Sequence, residues 1–583
     1  MEQWTKKDKR AFLPAATRWI IGALVVMLPA VFFALFYVYP LGTTFRLGLL
    51  SQGRIETSAL SELFTSGYLL RVLWFTTWQA ALSTGLTLLL AFPGAYVLAR
   101  FRFRGKTLIR TLATLPFVLP TVVVAAAFIA LIGPAGIINN WLQDLLSLDA
   151  APIRLNQTVW IILLAHVFFN YSVALRILSA YWGSLSPSMS QAAQMLGASP
   201  LRAFIEITLP QLRPAITAAA VLVFIFCFTS FGVIVILGGP RFATLEVEIY
   251  RQALNLFNLP VAAALSLWQI LFTFILMWVY SRTQARTGQT TRMGGRRVVE
   301  RPVRTRRERA LVAGNVTAIV VLIGAPIAAL VARSFRGQNG FTTTFYRTLF
   351  VNRDDSLFFV PPGEAIFNSV AIALGAMLLS VGLGLIAAHT LTRWEQATQN
   401  GDRTQKGKAW LSRAFDALLM LPLATSAVTL GLGYLIALGR PPLNLRSSIL
   451  LLPIAHAVVA IPFVLRSVLP GFRGIQPSLR EAAAMLGASG WRVWREVDWP
   501  IIRRPILVAA LFAFTISLGE FGATVFLARP ETPTMPVAIY RFLGQPGALN
   551  YGQALAMSVL LMLVCVIAFV AIEHFRFGDE GEF

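Results

Sequence analysis

The sequence predicts an all-α polytopic membrane protein with about 12 transmembrane helices in two homologous six-helix repeats. Hydrophobic residues make up 56% of the 583 residues and charged residues only 13%, far more apolar than a soluble domain. The chain contains twelve apolar runs, each near the ~20 residues that a helix needs to cross about 30 Å of hydrocarbon. A stretch of the first half also returns in the second half without a gap.

The apolar runs divide evenly between the two halves. In the first half they are Trp19–Leu41, Val72–Leu98, Leu112–Ile132, Thr158–Ala180, Pro214–Leu237 and Ala262–Tyr280. In the second half they are Val312–Val331, Ser369–Leu391, Leu418–Leu438, Ser448–Leu469, Pro505–Leu527 and Gln553–Ile572. The first run follows basic residues as a secretory signal does, but it is too long and shows no small-residue cleavage site, so we expect a retained span.

The basic residues lie in short segments between the apolar runs, although the net charge is +24. The connectors at residues 100–110 and 393–413 are rich in Lys and Arg, which predicts that they lie in the cytoplasm and that both termini do so as well. This pattern indicates a multi-pass protein of the cytoplasmic (inner) membrane. It does not indicate a nucleic-acid partner.

The domain organisation predicted from these patterns is a first repeat at residues 1–280, a basic cytoplasmic linker at 281–310 and a second repeat at 311–583. The linker contains ten arginines and shows no apolar periodicity. We interpret it as a tether between the repeats. A polybasic contact with anionic lipid is the alternative.

Enzymatic chemistry is not predicted. Cys227 and Cys565 lie inside apolar runs and indicate neither a disulfide framework nor a metal site. The segment Gly105-Lys106-Thr107 ends like a phosphate-binding loop but lacks the glycine five residues upstream. We therefore predict no catalytic residue, no metal and no cofactor.

The repeated stretch runs from Ser188 to Pro210 and again from Ser478 to Pro500. Each copy predicts two short helices joined by a glycine in the left-handed conformation, with a serine capping the second helix. The predicted capping boxes are Ser188 with Gln191 and Ser478 with Glu481, and the predicted left-handed residues are Gly197 and Gly487.

The pattern of Glu or Gln, two alanines, three residues, glycine and a later proline resembles the signature loop of permease subunits of binding-protein-dependent (type I) ABC importers. In that family the loop forms a coupling helix that docks into a cytoplasmic ATPase. The resemblance implies two ATPase subunits, an extracytoplasmic solute-binding protein and membrane lipid as partners, with ATP hydrolysed by another chain. The implied ATPase-coupling residues are Gln191, Ala192, Ala193, Gly197, Glu206 and Pro210 in the first copy, and Glu481, Ala482, Ala483, Gly487, Glu496 and Pro500 in the second. The first copy departs from the pattern because Gln191 replaces the usual acid.

A few intramembrane residues are candidates for the translocation pathway. His166 and His456 occupy matching positions, where each either lines a pathway or donates to a neighbouring helix carbonyl. Glu520 is a lone acid in the outer part of the eleventh run, where lipid exposure would cost about 2.5 kcal/mol or more. Phe231 and Phe521 each precede a glycine, and we expect either a bulky gate or ordinary packing.

The fused two-repeat form resembles the thiamine and ferric-iron permeases, which makes thiamine the expected substrate and ferric iron or a sulfate- or molybdate-type anion the alternatives. A secondary transporter driven by an ion gradient is a different class with repeated spans. An inverted repeat would place the two coupling stretches on opposite membrane faces, whereas six spans per half place both on one face.

Overall fold

The protein is described here by a computed structural model that covers residues 27–51, 54–55, 58–293, 300–337, 340–352, 360–399, 406–439, 441 and 443–577. The helices of the first half are α1 Met27–Leu49, α2 Ser58–Thr65, α3 Gly67–Arg100, α4 Lys106–Thr114, α5 Thr121–Ile132, α6 Ile137–Leu146, α7 Val159–Ser184, α8 Ser188–Met195, α9 Pro200–Phe228, α10 Gly232–Leu237, α11 Leu245–Tyr250 and α12 Leu259–Met293. Those of the second half are α13 Arg306–Ser334, α14 Thr344–Arg347, α15 Glu364–Gln399, α16 Lys406–Met420, α17 Ala427–Ala437, α18 Leu451–Gly474, α19 Pro477–Met485, α20 Gly490–Gly519, α21 Thr524–Leu527, α22 Met535–Leu543 and α23 Ala548–Phe577.

The predicted all-α polytopic fold is confirmed. In the described part of the chain, 11 helices are long and apolar enough to cross a membrane, and a bent pair of helices raises the number to 12. Strands occur there only as two-residue pairs. They are β1 Leu50–Ser51 with β2 Arg54–Ile55, β3 Phe101–Arg102 with β4 Arg301–Pro302, and β5 Arg336–Gly337 with β6 Gly340–Phe341.

Five predicted spans are interrupted or displaced. The first span continues beyond Leu41 to Leu49. The third and ninth contain a short 3₁₀ turn at Pro116 and at Pro422, and the two segments of the ninth meet at 101°. Proline removes an amide donor and disfavours helix at the preceding residue, so an apolar run alone hides these breaks.

The fifth and eleventh spans also break before their predicted ends. Helix α9 ends at Phe228 and α10 begins at Gly232, whereas α20 ends at Gly519 and α21 begins at Thr524. The breaks therefore fall at equivalent places in the two repeats. They place Phe231 and Phe521 in irregular backbone between two helices.

The two halves exchange their first spans. Helix α1 packs against α17 of the second half, and α13 packs against α5 of the first half. The hydroxyls of Tyr37 and Thr425 lie 2.6 Å apart, and the hydroxyl of Tyr434 donates to the carbonyl of Phe36 at 2.7 Å. The crossing is close at Gly433, where a Cβ would lie 3.2 Å from Pro40.

Helices enter the predicted linker segment from both ends, since α12 extends to Met293 and α13 starts at Arg306. Strand β4 then pairs in parallel with β3 of the first half. The Nζ of Lys106 lies 2.7 Å from a carboxylate oxygen of Glu300, and the Arg301 guanidinium lies 5.0 Å from the centre of the Phe101 ring. Burial lowers the pKa of Lys106, an effect that Glu300 opposes. The segment that begins at Glu300 is thus held against the first repeat.

Candidate functional site

The repeated stretches form two helical hairpins, hairpin one at Ser188–Pro210 and hairpin two at Ser478–Pro500. The predicted left-handed glycines are confirmed, with φ of +91° at Gly197 and +80° at Gly487. In hairpin one the amide of Ala198 donates to the carbonyl of Ala193 at 3.0 Å, and hairpin two repeats this bond. This bond closes a helix end whose carbonyls would otherwise lack donors.

The predicted capping boxes are wrong. Helix α8 begins at Ser188 itself, after Pro187, and α19 begins one residue before Ser478, at Pro477, which fixes φ for a first helical turn. Neither start has a side-chain cap. The predicted cap of the second helix is present in hairpin one, where the Ser199 hydroxyl accepts from the Arg202 amide at 3.2 Å, and no such bond forms in hairpin two.

Each hairpin presents a pair of protruding apolar side chains. Met195 and Leu196 are 88% and 89% exposed, and Met485 and Leu486 are both 89% exposed. The sequence prediction chose the alanines beside them and missed these residues, although their identity in both copies was the available signal. Exposed apolar side chains at this density favour a protein partner.

Most of the predicted coupling residues are exposed. Gln191, Ala192, Gly197, Glu206, Glu481, Ala482, Gly487, Glu496 and Pro500 are exposed, whereas Ala193, Ala483 and Pro210 are half-buried. Glu206 pairs with Arg202 at 3.0 Å and Glu496 with Arg492 at 3.1 Å, so both acids stiffen their own hairpin across one helical turn. The hairpins differ beyond this point, because hairpin two carries Trp491 and Trp494 stacked 4.8 Å apart.

A central cavity of about 420 Å³ lies between the two halves, at the breaks in α9 and α20. Four of the five predicted pathway residues line it, namely His166, Phe231, Glu520 and Phe521. The fifth, His456, lies behind Glu520, since its Nε2 is 3.3 Å from a Glu520 carboxylate oxygen. Pathway and coupling residues thus form separate groups along the same helices.

An aromatic layer closes one side of the central cavity. The rings of Phe231 and Phe521 stack 5.3 Å apart at 26°, one from each repeat. Phe231 also contacts Tyr250 at 5.5 Å, and Phe521 contacts Tyr540 at 5.4 Å. We name these four residues the aromatic layer.

A vestibule of about 1120 Å³ lies on the other side of the aromatic layer. Tyr250 and Tyr540 line it, together with Asn156, which precedes α7. Helix α7 runs from there to hairpin one, so the vestibule lies at the end of the molecule opposite the hairpins. The segments around Tyr250 and Tyr540 are short helices buried between the halves.

The glycines beside the two phenylalanines provide space. A Cβ on Gly232 would lie 2.3 Å from the Thr121 hydroxyl, and one on Gly522 would lie 3.1 Å from the Ala427 Cβ. The contacted residues begin α5 and α17, the helices that follow the proline breaks. The glycines therefore let each broken span approach the neighbouring helix closely, and close packing rather than flexibility is the reason for them.

Both histidines bridge helices through hydroxyl groups, whereas a bond to a helix carbonyl is one of the two alternatives that the sequence leaves open. The ring nitrogens of His166 lie 3.0 Å from the Ser83 hydroxyl and 2.9 Å from that of Ser230. Those of His456 lie 2.7 Å from the Ser517 hydroxyl and 2.8 Å from that of Thr524. Each imidazole thus holds the chain next to a layer phenylalanine.

Glu520 stands at the break, directly after α20, rather than inside a helix. Its carboxylate accepts from the amides of Ala523 at 2.8 Å and Thr524 at 3.0 Å, so it caps α21. With His456 nearby, its negative charge faces both amide donors and an imidazole. This use of the side chain satisfies the expectation that a buried acid has partners.

Glu246 is a second buried carboxylate at the central cavity, and the sequence prediction missed it. One oxygen accepts from the Ser426 hydroxyl at 2.7 Å, and the other accepts from the Gln269 amide. Its position in α11 escaped notice because a Glu in a connector between apolar runs gives no signal of burial. Its equivalent in the second repeat is Pro536, so the acid is not part of the repeat.

The comparisons with known proteins agree with this architecture. The family described as "Binding-protein-dependent transport system inner membrane component" matches twice, at residues 91–289 and 380–577. The thiamine transport system permease protein ThiP of Brucella abortus (strain 2308) is 30% identical, over 86% of this chain and 87% of that protein. ThiP of Haemophilus influenzae is 27% identical, over 94% of this chain and 95% of that protein.

A crystal structure of a bacterial ABC transporter involved in the import of alginate aligns with a TM-score of 0.37 and 19% identity, over 47% of this chain and 96% of that chain. The two family matches together span well over half of the 583 residues. The relatives are named permease proteins, which are transport components rather than ATPases. The chain therefore belongs to the inner membrane components of binding-protein-dependent transport systems, as a multi-pass permease subunit of an ABC importer.

Proposed function

We propose that this permease moves thiamine between its two halves, from the vestibule through the aromatic layer into the central cavity. The observation that carries the proposal is the aromatic layer itself, which separates two cavities along the junction of the repeats. Phe231 and Phe521 come from opposite halves. A relative movement of the halves would therefore part their rings and join the cavities.

The hairpins are the proposed docking points for two cytoplasmic ATPase subunits, one on each. The exposed apolar pairs support this role, because each Leu or Met that a partner buries contributes about 1.5–3 kcal/mol. Hairpin two leads directly into α20, which ends beside Glu520 and Phe521. A displacement at the hairpin would thus reach the aromatic layer along one helix.

The proposed orientation places both hairpins and both termini in the cytoplasm. The Lys- and Arg-rich connectors support it, since β3 and Lys106 lie at the hairpin end, where Arg100 donates to the Leu185 carbonyl at 3.2 Å. The solute-binding protein would then dock at the vestibule. We propose residues 1–280 and 311–583 as the two repeats, with 281–310 as the cytoplasmic linker.

Thiamine is proposed as the substrate because the relatives are thiamine permeases by name. The cavity chemistry supports a cation, since its lining includes two carboxylates, aromatic rings and, among the described residues, no Lys or Arg. A sulfate-type anion would meet repulsion there. The thiazolium ring of thiamine is a permanent cation that can stack on aromatic faces, an interaction worth about 0.5–2 kcal/mol.

The test is reconstitution in proteoliposomes with the cognate ATPase and binding protein, measuring ATP-dependent uptake of labelled thiamine, ferric iron and sulfate. We expect thiamine uptake that requires all three components. Uptake of iron or sulfate alone would refute the substrate. Thiamine uptake unchanged in both Phe521→Ala and Glu520→Ala proteins would refute the pathway.

A further inference from the structure

We propose that Glu246 is the cation-binding carboxylate of the central cavity, so that the permease itself holds the substrate during passage and selects for positive charge. The inference rests on the proposed function. It goes further by naming a site within the membrane subunit whose carboxylate comes from the first repeat alone. Substrate selection would then occur at two places, first in the binding protein and again at the centre of the permease.

The first argument is charge compensation. Glu246 is 0% exposed, and its described partners, the Ser426 hydroxyl and the Gln269 amide, are neutral donors. None of the ion pairs found among the described residues involves it. A buried carboxylate without a cationic partner is costly unless it takes up a proton or a cation joins it.

The neighbouring acids differ in this respect. Glu520 at the same cavity already faces His456 and the two amides of α21. Glu248 lies two residues from Glu246 and is equally buried, but it does not line the cavity. It accepts from Tyr68 at 2.7 Å, and Arg251 donates to that tyrosine at 3.2 Å. Of the two carboxylates that line the cavity, Glu246 is therefore the one with no basic side chain among its described partners.

The second argument is the donor count around Glu246. Gln269 uses its amide nitrogen on the carboxylate, and its buried carbonyl oxygen finds no donor among the described residues. The cluster is thus richer in acceptors than in donors. Such a cluster complements a positively charged group that carries donors.

The third argument is position. Glu246 belongs to the first repeat and Ser426 to the second, so the carboxylate spans the junction that must open. Phe231 and Phe521 line the same cavity with aromatic rings, whose faces would become available to a flat cation when the halves part. Carboxylate and rings together match a heteroaromatic cation such as thiazolium. Movement of the halves would break the Ser426 bond and release the bound cation.

The experiment measures equilibrium binding of radiolabelled thiamine to the full-length permease in nanodiscs, without ATPase or binding protein. Thiochrome, the neutral oxidised form of thiamine, serves as the uncharged competitor. We expect wild-type protein to prefer thiamine over thiochrome by at least 10-fold. Glu246→Gln should weaken thiamine binding about 10-fold, or about 1.4 kcal/mol, and leave thiochrome binding unchanged.

Two variants serve as controls. Glu246→Asp keeps the charge and should keep the preference for the cation, and Glu248→Gln removes the neighbouring buried charge and should bind thiamine as wild type does. Thermal unfolding of each protein in nanodiscs verifies folding. A Glu246→Gln protein that retains the preference for thiamine would overturn the inference, and so would equal losses of thiamine and thiochrome in both Glu246 variants.

Failure of this inference is distinguishable from failure of the proposed function. If the reconstituted wild-type complex imports thiamine while Glu246→Gln leaves cation preference intact, only the Glu246 site is refuted. If the complex imports no thiamine, the proposed substrate is refuted whatever the binding data show.

Discussion

Changing Gly487 to alanine should weaken ATPase docking while leaving the membrane fold intact. A Cβ at Gly487 would meet nothing within 4 Å, so no clash contributes. The cost comes from φ of +80° alone, a left-handed conformation that costs an L-residue about 1–2 kcal/mol. If the native hairpin becomes that much less populated, affinity for the ATPase should fall about 5- to 30-fold.

Gly490 supplies a matched control in the same hairpin. A Cβ there also meets nothing within 4 Å, but its φ is not in the left-handed region. Gly490→Ala should therefore bind the ATPase as wild type does. Gly487→Asn should recover much of the loss, because asparagine tolerates the left-handed conformation better than other residues.

The assay is titration of the purified ATPase onto nanodisc-embedded permease, with membrane insertion followed by yield and gel filtration. Equal affinities for the Gly487→Ala and Gly490→Ala proteins would refute the argument from backbone conformation. Gly197→Ala should behave as Gly487→Ala does, because both hairpins share the geometry.

Three further outcomes follow from the structure. Leu196→Ser and Leu486→Ser should each lower ATPase affinity at least 10-fold, because burial of a leucine side chain by the partner contributes about 1.5–3 kcal/mol. Co-purification of the ATPase measures this affinity, and unchanged binding by both variants would show that the apolar pairs are not part of the interface. His456→Ala should lower thermal stability more than His166→Ala, because of the two imidazoles only that of His456 lies against a buried carboxylate, and its removal leaves Glu520 with one polar partner fewer. Equal unfolding temperatures would count against that pairing. A cut of the chain near Gly294, which lies outside the described residues, should leave uptake intact when the two pieces are expressed together. The reason is that β4 and Glu300 would still contact the first repeat. Complete loss of uptake with both pieces inserted in the membrane would show that the linker has another role.

The sequence was sufficient for the features that depend on local chemistry. Apolar length predicted the spans, and the glycines at 197 and 487 predicted left-handed helix ends, because few residues other than glycine accept that conformation. The repeat predicted that the two halves share a fold. These signals are contained within short segments of the chain.

The features that the sequence did not reveal depend on contacts between distant segments. The burial of Glu246 requires Ser426 of the other repeat, and the stacking of Phe231 on Phe521 requires the two halves to meet at their breaks. Hydropathy also concealed the breaks, because the residues on both sides of each one are apolar. The capping boxes failed for a local reason, since prolines at 187 and 477 set the helix starts.

The exchange of first spans has a consequence for biosynthesis. Tyr37 and its partner Thr425 are 388 residues apart in the chain, a distance that a ribosome covers in roughly 20–80 s at about 5–20 residues per second. During that interval α1 is already in the membrane without α17, one of the helices on which it finally packs. The first repeat cannot complete its native contacts before most of the second repeat has been translated, so the insertion machinery or surrounding lipid must shelter this helix until then.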